Sequence, residues 1–411
     1  MPDMDPQACL QAAQRAIFSL GLHDAAAALC EANMAYGLAK VNHVLKHFGY
    51  RPDALFVGTP DMTITRNSAR WSAGFGYGGK LLWGTGDRPL VVLDAKPNVC
   101  GMLVGAVEKL PQVDELIHRI HQLQHRGMTI QDIAVEWDLH KGNHFIDLCA
   151  LQPADPAVEL PPSAFVIHTA APEMRGPNPL GPGLYWDASD ELAAQYREID
   201  TPWGPLHVLI DEHAVEFYRF YELADSFAKQ RRLMIAQALF GEFQLIANVT
   251  HQGMSDMNTI YLGCHNSLDP DADYLPIMVR GDLPGYLFEG LPNLSDSVIR
   301  QMDFHDRAND LGLLEALRNA NVIPHGAGYA LPHFRDVVRV IDLGDHRYFE
   351  MSVAPATTNE AAPHVTDGTE ILTDTHDLPQ KYRGRQGVFK TIECGLGRLV
   401  AKITPLHVVK V

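Results

Sequence analysis

Phe145-Ile146-Asp147-Leu148 and Phe165-Val166-Ile167-His168 are the stretches whose reading decides the fold. Each is a short apolar run of a length suited to a buried strand and too short for a helix. The loop between them carries Pro153, Pro156, Pro161 and Pro162, which excludes a continuous helix through the region. Upstream, Leu55-Phe56-Val57 and Leu90-Val91-Val92-Leu93 repeat the strand signal, separated by Gly-rich turns such as Gly74-Phe75-Gly76-Tyr77-Gly78-Gly79. Downstream, a second Pro/Gly loop runs from Pro172 to Gly183, and the tail ends in a strand-like Leu406-His407-Val408-Val409.

Helical spacing fills the remainder. Residues 7–48 are rich in Ala, Leu and Gln, with Gly21 as a stop and Asp24 as a new N-cap. Residues 111–134 and 310–320 read as helix. The strongest helix is 212–240, where Phe217, Phe220, Tyr221, Ala224, Phe227, Ala228, Ile235 and Ala238 share a face and Gly241 ends the run. Lys229, Arg231 and Arg232 fall opposite, as a solvated face would. The pattern predicts an α+β fold: one large domain with a complex mixed or antiparallel sheet core flanked by helices.

Composition narrows the function. The chain has 411 residues, 46% of them apolar, which is enough for a sizeable core. No apolar run reaches the length of a membrane span, and Met1–Pro6 lacks the basic start of a secretory signal. The six cysteines are scattered without a Cys-x-x-Cys pair, which argues against a zinc ribbon or a disulfide framework and fits a reducing cytoplasm. The net charge of −17 argues against broad grip on a long duplex and predicts at most a local contact with a nucleic-acid terminus. Twenty histidines are dispersed rather than tracted, so any site they form must be assembled from distant segments.

Candidate ligands lie in separate segments: Cys100 in Asn98-Val99-Cys100-Gly101, His144 in Gly142-Asn143-His144, His168 at the end of its strand, and His251 in Asn248-Val249-Thr250-His251. One thiolate and three imidazoles suit zinc, cobalt, iron or manganese better than magnesium or calcium. His325 in His325-Gly326-Ala327-Gly328 is a candidate nucleophile. A neutral imidazole can attack phosphorus through one ring nitrogen, and the flanking glycines let backbone N–H groups approach a phosphate. The partner of its other ring nitrogen is not apparent from the sequence.

In this order, and with Pro405-Leu406-His407-Val408-Val409-Lys410 at the end, the segments resemble the RtcB family. That family comprises GTP- and manganese-dependent ligases that join RNA 3′-phosphate or 2′,3′-cyclic-phosphate ends to 5′-hydroxyl ends. The resemblance covers roughly residues 55 to 411 and divides the chain into an N-terminal helical segment, 1–50, and a catalytic domain, 51–411. It implies that His325 becomes guanylylated and that two Mn²⁺ ions bind, with Zn²⁺ or Co²⁺ as other occupants. Cys100 would bridge the ions, His144 and His168 would serve one, and His251 the other. Pro97 stands where the family has an aspartate three residues before the cysteine, leaving Asp94 as the candidate carboxylate ligand. GTP or GMP would be held by Asn143, Asp147, Gln252, Arg280, Gly281, Asp282, Leu283, Gly326, Ala327, Gly328 and Lys410.

Other positions depart from the family. Asp147 replaces a glutamate, Cys264-His265-Asn266-Ser267 stands where the family has His-Arg-Lys-Gly, and Tyr329 replaces an arginine. Arg175-Gly176 stands in for a Ser-Arg-Gly loop of different length. The expected partners are therefore GTP and RNA ends, such as tRNA halves or broken RNA, with any activating protein unspecified. The lost basic residues leave two alternatives: a divergent paralogue that guanylylates or caps another phosphorylated end, or a GTP- and metal-binding protein that does not ligate.

Overall fold

The computed structural model describes residues 5–354 and 368–411. Its core is an eleven-stranded sheet in a mixed α+β arrangement. In spatial order the strands are Ile17–Ser19, Leu55–Thr63, Tyr77–Leu82, Thr259–Leu262, Gln244–Asp256, Cys100–Val107, Ser163–Thr169, Phe145–Pro153, Gly397–Val409, Gly285–Gly290 and Leu275–Ile277. The first pair is parallel and the remaining pairs are antiparallel. Both deciding stretches are neighbouring strands, with Ile146 opposite Ile167 and Phe145 opposite His168. Their alternate apolar residues enter different cores. Val166 packs with Met102 and Val104 on one face, while Phe165 and Ile167 pack with Leu103 and Ile146 on the other. Burial on both faces is why these strands read as continuous apolar runs.

The N-terminal helices span Pro6–Arg15 and Ala25–His47. Asp24 caps the second by accepting from the Ala27 N–H at 3.0 Å. Between them lies a strand that helical composition concealed: Ile17–Ser19 extends the main sheet beside Phe56–Gly58. The predicted helix over 111–134 ends at Arg126, and a short hairpin, Thr129–Ile130 with Ile133–Ala134, follows it. The segment 310–320 forms parts of two short helices, His305–Leu311 and Leu314–Arg318, broken at Gly312. A separate three-stranded sheet, Phe334–Asp342, Arg347–Val353 and Thr369–Leu372, packs beside the second of these helices. Among the described residues no helix is long and apolar enough to cross a membrane.

The long helix is Asp211–Phe240. Phe217, Phe220, Tyr221, Phe227 and Ile235 are buried on it, and each such side chain contributes roughly 2 kcal/mol. Its supposed solvated face is a correction to the sequence reading, because Arg231 and Arg232 are fully buried. Arg231 is bracketed by Asp138 at 2.8 Å and Glu173 at 3.0 Å. Arg232 donates to Asn248 Oδ1 at 2.7 Å and to the Val99 carbonyl at 3.3 Å. The two arginines tie the helix to the strands and loops that carry His144, Cys100 and His251. Only Lys229 meets solvent, paired with Asp225 and Asp271.

Candidate metal centre and histidine site

Three adjacent strands bring the candidate ligands together. Met102 stands opposite His168, so Cys100, two residues earlier, shares the face that carries His168. On the other flank, Thr250 pairs with Gly101 and Gln252 pairs with Cys100. His251 is the extra residue of a β-bulge, and the bulge turns its ring toward the ligand face. The result is a buried group of Cys100, His168 and His251. His168 Nε2 lies 3.2 Å from Cys100 Sγ and 3.3 Å from His251 Nε2. His144, just before its strand, reaches Cys100 Sγ with Nε2 at 3.6 Å.

These separations fit an ion. With metal–nitrogen and metal–sulfur bonds of roughly 2.0–2.3 Å, donors around a tetrahedral centre stand about 3.3–3.6 Å apart. The ring nitrogens are also prepared for it. His168 Nδ1 lies 3.0 Å from the Asn143 carbonyl, so a proton held there leaves Nε2 with its lone pair. Burial, followed by the neighbouring imidazoles, holds His168 and His251 well below the usual histidine range, so both rings are neutral. His144 behaves differently. Burial opposes its charge, but Asp138, 2.9 Å from Nδ1, and the Cys100 sulfur push it up to about 10.

The grouping differs from the one the resemblance implied. His168 groups with His251, and His144 approaches the Cys100 sulfur separately. Asp94 is engaged elsewhere. Its carboxylate accepts from the His207 backbone N–H at 2.7 Å, from His207 Nδ1 at 3.0 Å and from the Trp186 indole at 3.1 Å. The described residues therefore supply donors for one ion and leave a second with only the shared sulfur and His144.

His325 follows the strand Val322–Pro324, which pairs with Cys264–Asn266. Its ring centroid lies 4.5 Å from that of His251, so the candidate nucleophile adjoins the metal group directly. The partner of its other ring nitrogen, hidden in the sequence, is Asp61. One Asp61 oxygen accepts from His325 Nδ1 at 2.9 Å and from the Gly326 N–H at 3.1 Å, and the other accepts from Thr59 Oγ1 at 2.5 Å. The signal that could have found it was a lone carboxylate inside an apolar strand, Leu55–Thr63, whose every residue is buried. With Nδ1 bound, Nε2 is the ring nitrogen free to react. Gly328 has a φ of +66°, and a Cβ there would stand 2.3 Å from the Asp61 carbonyl oxygen. The last glycine of the motif thus packs the His325 turn against the strand that carries Asp61.

His325 and His168 open into a cavity of about 150 Å³. Asn143, Asp147, Arg280, Gly281, Gly326, Ala327, Gly328 and Lys410, all expected at a nucleotide site, line it. Asp147 Oδ1 is buried without a hydrogen-bond partner, and burial pushes its carboxyl up to about 7 against the opposing pull of Lys410. Lys410 Nζ donates to the Gly142 carbonyl at 2.9 Å, and Arg280 pairs with Asp282. Asp282, Leu283 and Gln252 lie outside the lining, and Gln252 donates instead to the Lys96 carbonyl at 3.2 Å. Tyr77, Phe145 and Tyr382 add aromatic wall that the sequence did not single out.

All six cysteines are unpaired. No protein-family model matches the chain, and no curated protein matches it.

Proposed function

We propose that the chain is a GTP- and metal-dependent RNA ligase acting through guanylylated His325. The observation that carries this reading is one juxtaposition: a buried imidazole with Nδ1 held by Asp61 and its ring 4.5 Å from a ligand of the Cys100–His168–His251 group. A histidine that merely filled a core would need neither the carboxylate nor the neighbouring donors.

In the first step His325 Nε2 attacks the α-phosphorus of GTP. The N–P bond forms, the bond to the bridging oxygen breaks, and pyrophosphate leaves. The ring gains positive charge as the bond forms, and Asp61 stabilises it while keeping the proton on Nδ1. Asp147 offers its unpartnered oxygen to a donor edge of the base, and Lys410 places positive charge at the same end of the cavity. In the second step a phosphate oxygen of an RNA 3′ end attacks the same phosphorus and frees His325. A 5′-hydroxyl then attacks the RNA phosphate and displaces GMP. A bound ion would supply charge neutralisation to the phosphates, with Cys100, His168 and His251 holding it. The resemblance implies two Mn²⁺ ions, and the donor set favours a single tightly held ion.

A second reading is guanylylation or capping of another phosphorylated end without joining. Tyr329 and Asn266 favour it, since neither brings positive charge to the site. Incubation with α-labelled GTP and Mn²⁺ tests the shared first step: an acid-labile adduct that His325→Ala lacks is expected, and its absence in the wild-type protein sinks both readings. A panel of RNA ends then separates them, since capped but unjoined product selects the second.

A further inference from the structure

His144 turns its two ring nitrogens to different partners. Nε2 faces the Cys100 sulfur at 3.6 Å, and Nδ1 faces Asp138. Asp138 is buried in the loop between the strands Ile133–Ala134 and Phe145–Pro153. Its Oδ2 lies 2.9 Å from His144 Nδ1 and meets no other hydrogen-bond donor among the described residues. The Asp138 backbone carbonyl, 3.3 Å from the same nitrogen, shares the Nδ1 proton. Oδ1 is spent elsewhere. It accepts from Thr169 Oγ1 at 2.5 Å and from Arg231 Nη2 at 2.8 Å.

These contacts set two ligands against each other. Thr169 directly follows His168 at the end of its strand, and His144 directly precedes the strand that begins at Phe145. Asp138 is tied to both segments. Arg231 uses only one of its oxygens, because it also reaches Glu173, the Ala170 carbonyl at 2.9 Å and the Glu136 carbonyl. The network thus holds two buried carboxylates against one guanidinium, and the oxygen left over is the one beside His144. A carboxylate on one ring nitrogen keeps the proton there, fixes the ring's orientation and makes the other nitrogen a better donor to a metal. His168 has a neutral carbonyl at Nδ1, and His251 has no Nδ1 partner among the described residues. Of these three imidazoles, His144 alone has a carboxylate behind it.

We infer that Asp138 is a positioning residue for metal binding: it orients His144 so that Nε2 joins the Cys100 sulfur on an ion. The inference rests on the reading of the Cys100–His168–His251 group as a metal centre and is independent of what His325 does.

The test is Co²⁺ binding to the full chain after a chelator has removed its metal. Affinity is read by competition with a chromophoric chelator, and the ligand set by visible absorption of the bound Co²⁺. Wild type is compared with Asp138→Asn, His144→Ala and the double variant. Asparagine keeps the shape of Asp138 and removes its charge, so affinity should fall roughly ten- to a hundredfold. The Co²⁺ spectrum of Asp138→Asn should shift toward that of His144→Ala. Because Asp138 acts through His144, adding Asp138→Asn to His144→Ala should change the affinity by less than about twofold. A residue that merely held the fold together would weaken binding equally in both backgrounds. A loss under threefold in Asp138→Asn, or a loss of the same size beside His144→Ala, overturns the inference. Should Asp138→Asn not fold, Thr169→Val takes its place, since it removes a hydrogen bond to Asp138 and leaves the carboxylate. A loss of twofold or more that vanishes in the His144→Ala background then supports the inference, and any other result overturns it. A wild type that takes up no Co²⁺ sinks the metal centre and this inference together, whereas binding indifferent to Asp138 sinks the inference alone.

Discussion

Replacing Asp61 by asparagine probes the structure at the point where sequence was silent. Asp61 is fully buried, and one oxygen holds both His325 Nδ1 at 2.9 Å and the Gly326 N–H at 3.1 Å. Asparagine keeps the shape and one acceptor oxygen but removes the negative charge. A hydrogen bond to a charged group contributes about 1.5–3 kcal/mol, and this one strengthens as the ring donates its Nε2 lone pair to phosphorus and becomes positively charged. At about 1.4 kcal/mol per factor of ten, guanylylation should slow by roughly 10- to 150-fold. The assay is single-turnover formation of the acid-labile adduct from α-labelled GTP at saturating nucleotide. The loss should fall on the rate and leave the half-saturating GTP concentration nearly unchanged. If D61N labels within twofold of wild type and melts at the same temperature, Asp61 does not position His325.

Arg231→Met leaves Asp138 and Glu173 buried without their shared cation, so equilibrium unfolding should show a loss of about 3–5 kcal/mol; a change below about 1 kcal/mol contradicts that role. Burial raises the Asp147 carboxyl to about 7 from a usual value near 3.8, so the fold prefers its protonated form. Its stabilising contribution is complete below pH 4 and is lost as pH rises through 7. The stability of Asp147→Asn relative to wild type should therefore climb between pH 4 and pH 8, by up to about 4 kcal/mol, and a pH-independent difference refutes it. Elemental analysis of the purified chain should find one tightly held transition-metal ion, nearly absent in Cys100→Ser. Two equivalents in wild type would contradict the assignment of Asp94 to His207 and Trp186.

Much of this architecture was written locally. Phe145–Leu148 and Phe165–His168 read as strands because both faces are buried, and Asp24 marked a helix start because its carboxylate caps one. Cys100, His168, His251 and His325 stand out through the order of their segments along the chain, and His325 also through the glycines that follow it. What stayed hidden depends on register and long-range pairing. The bulge that turns His251 inward exists only once Thr250 and Gln252 are paired across the sheet. Arg231 looked solvated because its counter-ions lie 58 and 93 residues away. Asp94 is a candidate ligand in the sequence only as the nearest carboxylate before Cys100, and its hydrogen-bond partner, His207, lies 113 residues downstream. The three-residue strand Ile17–Ser19 is too short to leave a period of its own, and it forms because Leu55–Thr63 offers an edge.

Intact-mass spectrometry tests most directly whether His325 is a nucleophile toward phosphorus. Wild-type protein incubated with GTP and Mn²⁺ should gain the mass of one GMP residue. Acid should remove it, and neutral hydroxylamine should not. His325→Ala, folded and holding its metal, should gain nothing. An unmodified wild-type chain, or an adduct that persists in His325→Ala, would contradict the account.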